Sequence, residues 1–192
     1  MRIILASGSS RRKELLSLIT SNFEVMVSNI DEKFESGLSV EEQAVNLSYQ
    51  KAKDVYQKTK GDRIIIGSDT IVVKKQKIYG KPKNRQHAKE MIKEFLEGDK
   101  THRIITSLSI LIQKGDYYKE YKIYDEVKVY LKDISDKEID NWLNTGKAMD
   151  KAGAYAIQEE FCVFIEKIEG NYMTVVGLPI HKVYDIIKDY ID

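Results

Sequence analysis

The sequence predicts an α/β fold, or an α+β variant of it, built on a mixed β-sheet. Segments rich in β-forming residues alternate irregularly with segments of helical periodicity, an order that argues against a regular doubly wound sheet. Two long β-forming segments, residues 102–113 and 117–131, flank Gly115-Asp116 and predict an antiparallel hairpin. No linker, internal repeat or low-complexity stretch interrupts residues 1–192, so we expect one domain, with one large core or two small lobes.

Composition and charge predict a packed protein without a global affinity for polyanions. Hydrophobic residues make up 42% and charged residues 32% of the chain, a balance typical of globular rather than disordered proteins. Lysine plus arginine number 31 and aspartate plus glutamate 30, so the net charge of +1 favours neither nucleic acid nor an acidic membrane as a partner. Since no signal-peptide pattern or long apolar run occurs, we expect a soluble, cytoplasmic protein.

The first segment of the chain predicts a binding site for a polyanion such as phosphate. Residues 3–6 have the apolar character of a buried strand, Ser7-Gly8-Ser9 breaks it, and Ser9 is a good N-cap for the helix that follows. The first helical turn would offer free backbone N–H groups, the positive end of the helix dipole and the guanidiniums of Arg11 and Arg12. An ordinary strand-to-helix turn with two solvated arginines has the same pattern.

Two charged residues stand where the sequence pattern is otherwise apolar. Residues 39–59 have helical periodicity, and Lys51 falls on the apolar stripe, so it either extends past the edge of the core or points into a site. Asp69 lies in the polar quartet 67–70, between the strand signals 64–66 and 71–73. A carboxylate there needs a metal, a cation or a hydrogen-bond network, unless the quartet is a hairpin turn.

The middle of the chain has clear helix starts. Asn84 can cap a helix that ends near Gly98, and Ser135 with Glu138 forms a capping box for another helix. The three histidines lack metal-ligand spacing and are expected at the surface or in the core; they are His87, His102 and His181.

The last third of the chain predicts a loop, a hairpin and a helix. Residues 149–158 form a loop rich in glycine and alanine, and residues 161–168 and 172–176 predict a closing hairpin. Cys162 lies in an apolar run and is expected to be buried. A final helix begins after Pro179. Its expected core face consists of Ile180, Val183, Tyr184 and Ile187.

The candidate site residues are those suited to hydrolysis of a phosphoanhydride. Cations at strand and helix ends suit a triphosphate, and carboxylates suit a divalent ion and a water molecule. Glu32 also fits a solvated acidic loop, and Lys81, before Pro82, also fits a surface turn. The cations are Arg11, Arg12, Lys51 and Lys81, and the carboxylates are Glu32 and Asp69.

Six short motifs resemble, in the same order along the chain, those of the Maf family of nucleoside triphosphate pyrophosphatases. One such motif is weak evidence, whereas six in order across nearly the whole chain are specific. The motifs are Ser7-Gly8-Ser9-Ser10-Arg11-Arg12-Lys13-Glu14-Leu15-Leu16, Gln50-Lys51-Ala52, Ile66-Gly67-Ser68-Asp69-Thr70, Gly80-Lys81-Pro82, Asp150-Lys151-Ala152-Gly153-Ala154-Tyr155-Ala156-Ile157-Gln158 and Val176-Gly177-Leu178-Pro179.

The resemblance implies an elongated α/β fold of two lobes with a central cleft, similar to inosine triphosphate pyrophosphatases. It implies hydrolysis of a nucleoside triphosphate to the monophosphate and pyrophosphate with a divalent cation, Mg²⁺ or Mn²⁺, by a cytoplasmic protein that is often a homodimer. Asp69 matches the general base, and Glu32 matches a carboxylate linked to metal or catalysis. The matches to the phosphate-binding set are Ser7, Arg11, Arg12, Lys51 and Lys81.

Three positions resemble the subgroup that acts on dTTP and UTP, namely Arg11, Thr70 and Gln158. Members that act on 7-methyl-GTP tend to have Trp and Gln at the first two positions. The amide of Gln158 offers a donor and an acceptor, which suits the acceptor–donor–acceptor edge of uracil and thymine. Gln158 also fits an exposed loop glutamine.

Two departures from the family pattern affect the expected site. Ser10 replaces a proline that suits the first helical turn, so we expect slight loosening with retained chemistry. Glu159-Glu160 follow Gln158 where the family usually has glycine, which adds negative charge beside the expected base pocket. The alternatives are a pyrophosphatase for 7-methyl-GTP or purine nucleotides, and a non-catalytic nucleotide-binding regulator of cell division. Housecleaning of modified pyrimidine nucleotides is implied by the resemblance alone.

Overall fold

A computed structural model describes residues 1–191, which form a seven-stranded sheet and six α-helices. The strands are β1 (Arg2–Leu5), β2 (Glu24–Val25), β3 (Arg63–Lys74), β4 (Lys77–Tyr79), β5 (Thr101–Lys114), β6 (Tyr117–Leu131) and β7 (Ile165–Glu169). The helices are α1 (Ser10–Ser17), α2 (Val40–Lys58), α3 (Arg85–Leu96), α4 (Asp136–Asn144), α5 (Tyr172–Val176) and α6 (Ile180–Ile187). Short 3-10 turns cover Ala152–Ala154, Glu160–Phe164 and Lys188–Tyr190.

The sheet combines parallel and antiparallel strands. Its order is β2-β1-β3-β5-β6-β7, with β4 paired to β3 off this path. β1 is parallel to both β2 and β3, and this register sets Ile4 opposite Ile65. β4 pairs antiparallel with β3, and β7 pairs antiparallel with β6. The predicted α/β class with a mixed sheet is therefore confirmed.

Capping side chains explain where the helices begin. The side-chain oxygens of Ser9, Asn84 and Ser135 each accept a hydrogen bond from the backbone N–H three residues later. Ser135 and Glu138 complete a capping box, and α2 has a second capping box at Ser39. The three helix starts predicted from these side chains are confirmed.

The described residues divide into two compact units. The first comprises Met1–Asp69, Thr106–Asp125 and the chain from Gly177 onward. Its core lies between α2 and the strands, because apolar residues of the α2 stripe pack on the buried faces of β1, β3 and β5. The residues of this core are Ile4, Ala6, Ala52, Val55, Ile65 and Leu111.

The second unit comprises Thr70–Ile105 and Glu126–Val176 and has an aromatic core. The Phe95 ring lies 4.5 Å from the His102 ring and 4.7 Å from the Tyr79 ring, centroid to centroid. Trp142 packs edge-on against Phe161 at 5.6 Å. Aromatic pairs at these distances add attraction to the area that they bury, so this cluster holds together the elements around it.

The prediction that residues 67–70 interrupt a strand is wrong. β3 is continuous through this quartet, and residues 67–69 are buried within it. The polar side chains are tolerated because they have partners: Ser68 is fully buried, and its hydroxyl donates to backbone oxygens. The hairpin-turn interpretation of Asp69 is therefore excluded.

The predicted closing hairpin is also wrong. Tyr172–Val176 is the helix α5, and Glu160–Phe164 is a 3-10 turn that precedes the short strand β7. Asn171 accounts for the helix, because its Oδ1 accepts a bond from the Met173 N–H at 2.8 Å and its backbone oxygen accepts one from Thr174. This local turn competes with strand formation and wins over the β-propensity of the valines.

Two predictions of side-chain burial are wrong. Cys162 is exposed, because the 3-10 turn directs Phe161 into the core and the next side chain outward. Tyr184 is 50% exposed, whereas Val183 and Ile187 of the same helix are fully buried.

Among the described helices, none combines the length and the apolar character that a membrane span requires.

Candidate active site

The site in the first unit depends on a close contact between α2 and β3 at Gly67. A Cβ atom built on Gly67 would overlap the Ser48 backbone oxygen and lie 2.9 Å from Cβ of Ala52, both on α2. Only glycine leaves room for the helix to lie so close to the strand. Lys51 precedes Ala52 on this contacting turn of α2, and Asp69 follows Gly67 by two residues in β3. The close contact therefore brings their side chains within reach of each other.

Lys51 contacts two carboxylates. Its Nζ lies 2.5 Å from Oδ1 of Asp69 and 2.9 Å from Oε1 of Glu32. The side chains of Lys51 and Asp69 are 11% and 10% exposed, whereas that of Glu32 is 55% exposed. Because a buried charge requires a partner, each of the two buried groups makes the burial of the other tolerable. Lys51 is therefore buried against two carboxylates and does not extend past the edge of the core.

Serine hydroxyls fix the backbone that carries Asp69. Oγ of Ser68 donates to the backbone oxygens of Ser107, at 2.8 Å, and of Gly177, at 3.2 Å. Oγ of Ser107 in turn donates to the Ala44 oxygen of α2 at 2.6 Å. These bonds link β3 to β5 and to Gly177, and link β5 to α2, so the strand position next to Asp69 is held in place.

A second polar group forms where β1 leads into α1. Arg12 donates from Nε to the Gly177 oxygen at 2.9 Å and from Nη1 to Oγ of Ser7 at 3.2 Å. The Ser9 N–H also donates to Oγ of Ser7, at 3.3 Å. Ser7 is buried and Arg12 is half-buried, so both bonds hold the guanidinium beside the N-terminus of α1. A guanidinium next to free helix N–H groups is a favourable site for phosphate.

One backbone oxygen links the two polar groups, because the Gly177 oxygen accepts bonds from both Nε of Arg12 and Oγ of Ser68. The pKa of Arg12 is lowered, mainly because burial removes hydration from the guanidinium. The charges of Asp69 and Glu32 oppose this shift, and the charge of Arg11 adds to it. A guanidinium keeps its proton in spite of such a shift. The first unit thus brings together side chains that are far apart in the sequence. They are Ser7, Arg11, Arg12, Glu32, Lys51 and Asp69.

The two carboxylates on Lys51 are the residues that could hold a divalent metal ion. The described residues contain no group of three or more His, Cys, Asp or Glu side chains arranged to hold a metal. Asp69 and Glu32 nevertheless both reach one cation, the Lys51 ammonium, so their oxygens already converge on a positive charge. Mg²⁺ is commonly bound through one or two carboxylates together with substrate phosphates. The donor set fits an ion that arrives with a nucleotide.

Thr70, Lys81 and Gln158 lie in the second unit. Thr70 is half-buried in β3, while Lys81 and Gln158 are exposed. The Gly153 N–H donates to the Gly80 oxygen at 3.1 Å, which ties the loop that carries Gln158 to the turn that carries Lys81. Convergence of these residues with the group around Asp69 stays a prediction.

Glu159 and Glu160, which follow Gln158, both pair with a lysine of the same unit. Nζ of Lys147 lies 3.2 Å from Oε2 of Glu159 and 2.7 Å from Oε1 of Glu160. These glutamates raise the pKa of the Lys147 ammonium. The negative charge that these glutamates add beside Gln158 is therefore partly neutralised by Lys147.

Sequence reasoning missed the residues that support the site. Gly67 sets the distance between α2 and β3, and the Gly177 oxygen accepts bonds from both Arg12 and Ser68. The signal for Gly67 was available, since a glycine inside a run of apolar strand residues often marks close approach by another backbone. The role of the Gly177 oxygen had no such signal, because any residue has a backbone oxygen.

Sequence comparison identifies relatives along the whole chain. A family model described as "Maf-like protein" matches residues 2–190. A protein of Thermoanaerobacter sp. (strain X514) named "dTTP/UTP pyrophosphatase" is 45% identical over 192 residues, which are 100% of this chain and 98% of that protein. A protein of the same name from Alkaliphilus oremlandii (strain OhILAs) is 46% identical over 191 residues, 100% of this chain and 97% of that protein.

A solved structure resembles the chain in fold. The structure of the Staphylococcus aureus Ham1 protein aligns with a TM-score of 0.53 over 98% of this chain and 99% of that chain. At 12% sequence identity the likeness is one of fold alone. It agrees with the mixed α/β class.

Proposed function

The chain belongs to the Maf family, and we propose that it hydrolyses nucleoside triphosphates, preferentially dTTP and UTP, to the monophosphate and pyrophosphate. The relatives named dTTP/UTP pyrophosphatase match over the full length of the chain, which supports this activity. The single observation that carries the proposal is the buried pair of Lys51 and Asp69, with Glu32 on the same ammonium. Such a pair is costly in a core and is explained by chemistry on a charged substrate.

In the proposed reaction Asp69 acts as general base. Its carboxylate takes a proton from a water molecule, and the water oxygen forms a bond to the α-phosphorus. The bond between the α-phosphorus and the bridging oxygen breaks, and pyrophosphate leaves with that electron pair. Lys51 holds one oxygen of the carboxylate, so the Asp69 side chain has a fixed direction toward the attacking water.

The cations bind the phosphates in this proposal. Ser7, Arg11 and Arg12 lie at the N-terminus of α1, where backbone N–H groups add to their charge. Arg12 is the best oriented of these, because Ser7 and Gly177 already fix two of its nitrogens. Lys81, from the second unit, is proposed to neutralise charge on the leaving pyrophosphate.

A divalent cation, Mg²⁺ or Mn²⁺, is proposed to bind at Asp69 and Glu32 together with the substrate. Its chemistry there would be charge neutralisation at the phosphate oxygens. Glu32 is suited to this role because its half-exposed side chain is open to an ion that comes from solvent. The proposed preference for thymine and uracil rests on Arg11, Thr70 and Gln158, where the Gln158 amide would pair with the donor and acceptor of the base edge.

A nucleotide panel with isotopic water tests the proposal. The purified chain is incubated with dTTP, UTP, dCTP, GTP and 7-methyl-GTP plus Mg²⁺ or Mn²⁺ in ¹⁸O-labelled water. The products are separated, and mass spectrometry shows which of them contains the label. We expect monophosphate and pyrophosphate from dTTP and UTP, with the label in the monophosphate because water attacks the α-phosphorus. Orthophosphate as the first product, or label in pyrophosphate, contradicts the mechanism.

The same panel separates the alternatives. Faster turnover of 7-methyl-GTP or a purine nucleotide would identify the other substrate class, and binding of dTTP without turnover would identify a regulator. We also propose a cytoplasmic homodimer without a nucleic-acid or membrane partner, on the family resemblance. Light scattering on the eluting protein tests the dimer, since a monomer mass near 22.2 kDa contradicts it.

A further inference from the structure

The loop that carries Gln158 is closed by two buried aromatic rings. Tyr155 and Phe161 stack with their ring centroids 4.5 Å apart and their planes at 28°. Gln158 lies midway between them in the sequence, and the Glu159 N–H donates to the Ala156 oxygen at 3.2 Å across the loop. The two rings are 5% and 0% exposed, whereas Gln158 is exposed. The exposed Gln158 amide thus lies on a loop whose two ends are buried and held in place by stacking.

A buried histidine fixes the Tyr155 ring. Nε2 of His102 lies 2.5 Å from the Tyr155 hydroxyl, and the two rings are nearly perpendicular at 87°. The imidazole also stacks on the Phe95 ring, with the ring centroids 4.5 Å apart. His102 is 2% exposed, and in residues 1–191 its Nδ1 has no hydrogen-bond partner. Because an unpaired buried nitrogen is unfavourable, core stability alone does not explain a histidine at this position.

The backbone immediately before Tyr155 is held in a left-handed bend. Gly153 has φ +70° and Ala154 φ +64°, a region that alanine seldom occupies. The Ala154 oxygen accepts a bond from Nε1 of Trp142 at 2.9 Å, and the Gly153 N–H donates to Gly80. The bend therefore persists because contacts on both sides hold it, and it sets the direction in which the loop leaves the core.

We propose that the His102–Tyr155 hydrogen bond is a positioning contact for Gln158 and thereby determines how strongly the chain prefers thymine and uracil over cytosine. The inference rests on the proposed function, in which Gln158 meets the base. Cytosine has an amino group where thymine and uracil have a carbonyl, and an unprotonated N3 where they have an N–H, so it reverses both the donor and the acceptor that the amide would meet. An amide held in place rejects that reversal, whereas an amide on a loosened loop can move to accommodate it.

The test is a comparison of kcat/KM for dTTP, dCTP and the base-free substrate methyl triphosphate. In Tyr155→Phe, which removes only the hydroxyl, we expect the dTTP to dCTP ratio to fall by about tenfold, as for loss of one buried hydrogen bond. Hydrolysis of methyl triphosphate should stay unchanged, because this substrate has no nucleobase for Gln158 to contact. The matched control is Tyr130→Phe, which removes a hydroxyl that donates to Glu169 at 2.7 Å on the surface of the same unit.

Histidine variants complete the test. His102→Gln keeps a polar group near Tyr155 and should preserve the ratio, whereas His102→Leu should lower it as far as Tyr155→Phe does. The double variant of His102→Leu and Tyr155→Phe should lower it no further, since both remove one contact. If Tyr155→Phe does not fold, the two histidine variants decide.

Two results overturn the inference while the proposed function stands. One is an active wild-type chain whose base ratio is unchanged in folded Tyr155→Phe and His102→Leu. The other is a parallel loss on dTTP, dCTP and methyl triphosphate, which indicates a purely structural role. Wild-type protein that hydrolyses none of the nucleotides overturns the proposed function itself, and the inference with it.

Discussion

The two units hold their candidate functional residues by different physical means. In the first, a buried ion pair between Lys51 and Asp69 lies where α2 contacts β3 at Gly67, and serine hydroxyls secure the strand. In the second, Gln158 stands on a loop whose ends are fixed by stacked Tyr155 and Phe161 rings. In the proposed function, the buried pair of charges lies on a helix and a strand, whereas the amide that would meet the base lies on a loop supported by buried aromatic rings.

This difference has a consequence for substitutions. A change in the first unit alters a charge or its distance from another charge, so it should change either phosphate binding or the rate of the chemical step. A change in the aromatic support of the second unit leaves the charges untouched, so it should change preference among nucleotides. Substitutions in each unit therefore test this division.

Asp69→Asn should reduce kcat for dTTP by about 10²–10⁴-fold, the range for loss of a general base. The amide keeps the shape of the side chain but cannot take a proton from water, and it leaves the Lys51 ammonium with Glu32 alone. Steady-state kinetics measures the loss, and calorimetric titration with dTTP should still detect binding. An Asp69→Asn variant with near wild-type kcat contradicts the assignment of Asp69 as base. Circular dichroism serves as the control for folding.

Gly67→Ala should destabilise the chain by about 1–3 kcal/mol, the usual cost of adding a methyl group to a packed core. The new Cβ would overlap the Ser48 oxygen, so α2 has to move away from β3 and Lys51 moves with it. Urea unfolding measures the stability, and dTTP hydrolysis should fall with it. Gly80→Ala is the matched control for stability, because a Cβ there meets nothing within 4 Å. Equal stability of the two variants would show that the close contact at Gly67 does not hold the helix in place.

Much of the fold could be predicted because it depends on neighbouring residues. The caps at Ser9, Asn84 and Ser135 and the hairpin at Gly115-Asp116 are decided within a few positions. The closing hairpin was wrong because tertiary burial of the α5 valines, aided by the turn at Asn171, overrides their β-propensity.

The site was less predictable than the fold, since it depends on contacts between distant segments. The apolar stripe marked Lys51 as unusual and the strand signals marked Asp69, but neither pattern gives the distance between them. That distance follows from the packing of α2 on Gly67, which requires the folded structure. The contact between His102 and Tyr155 had no sequence signal, because each residue alone fits an ordinary core position.

Arg12→Lys should raise KM for dTTP about tenfold with a smaller change in kcat, because a lysine cannot replace the planar fork of guanidinium donors. Arg12 uses Nε and Nη1 to contact Gly177 and Ser7, which orients the rest of the group. Lys13→Gln, which removes an exposed charge one residue further along, is the control for net charge. A change in kcat with KM unaffected would place Arg12 in the chemical step and not in phosphate binding.

The smallest effect concerns acid stability and tests the second unit alone. Burial, with a smaller contribution from the charge of Lys74, lowers the pKa of His102 from 6.5 to about 3. Between these values the unfolded chain binds a proton that the folded chain does not, so this group makes stability fall with falling pH, by up to about 1.4 kcal/mol per pH unit. The His102→Gln side chain does not titrate, and the unfolding free energy of this variant should therefore fall less steeply from pH 6.5 to 5.5 than that of the wild type.

Urea unfolding at both pH values measures the difference, and parallel slopes would mean that His102 is accessible to protons in the folded chain. In that case the contact with Tyr155 would be too loose to hold Gln158, and the contrast between a charged first unit and a tightly packed second unit would fail at the residue on which it depends most.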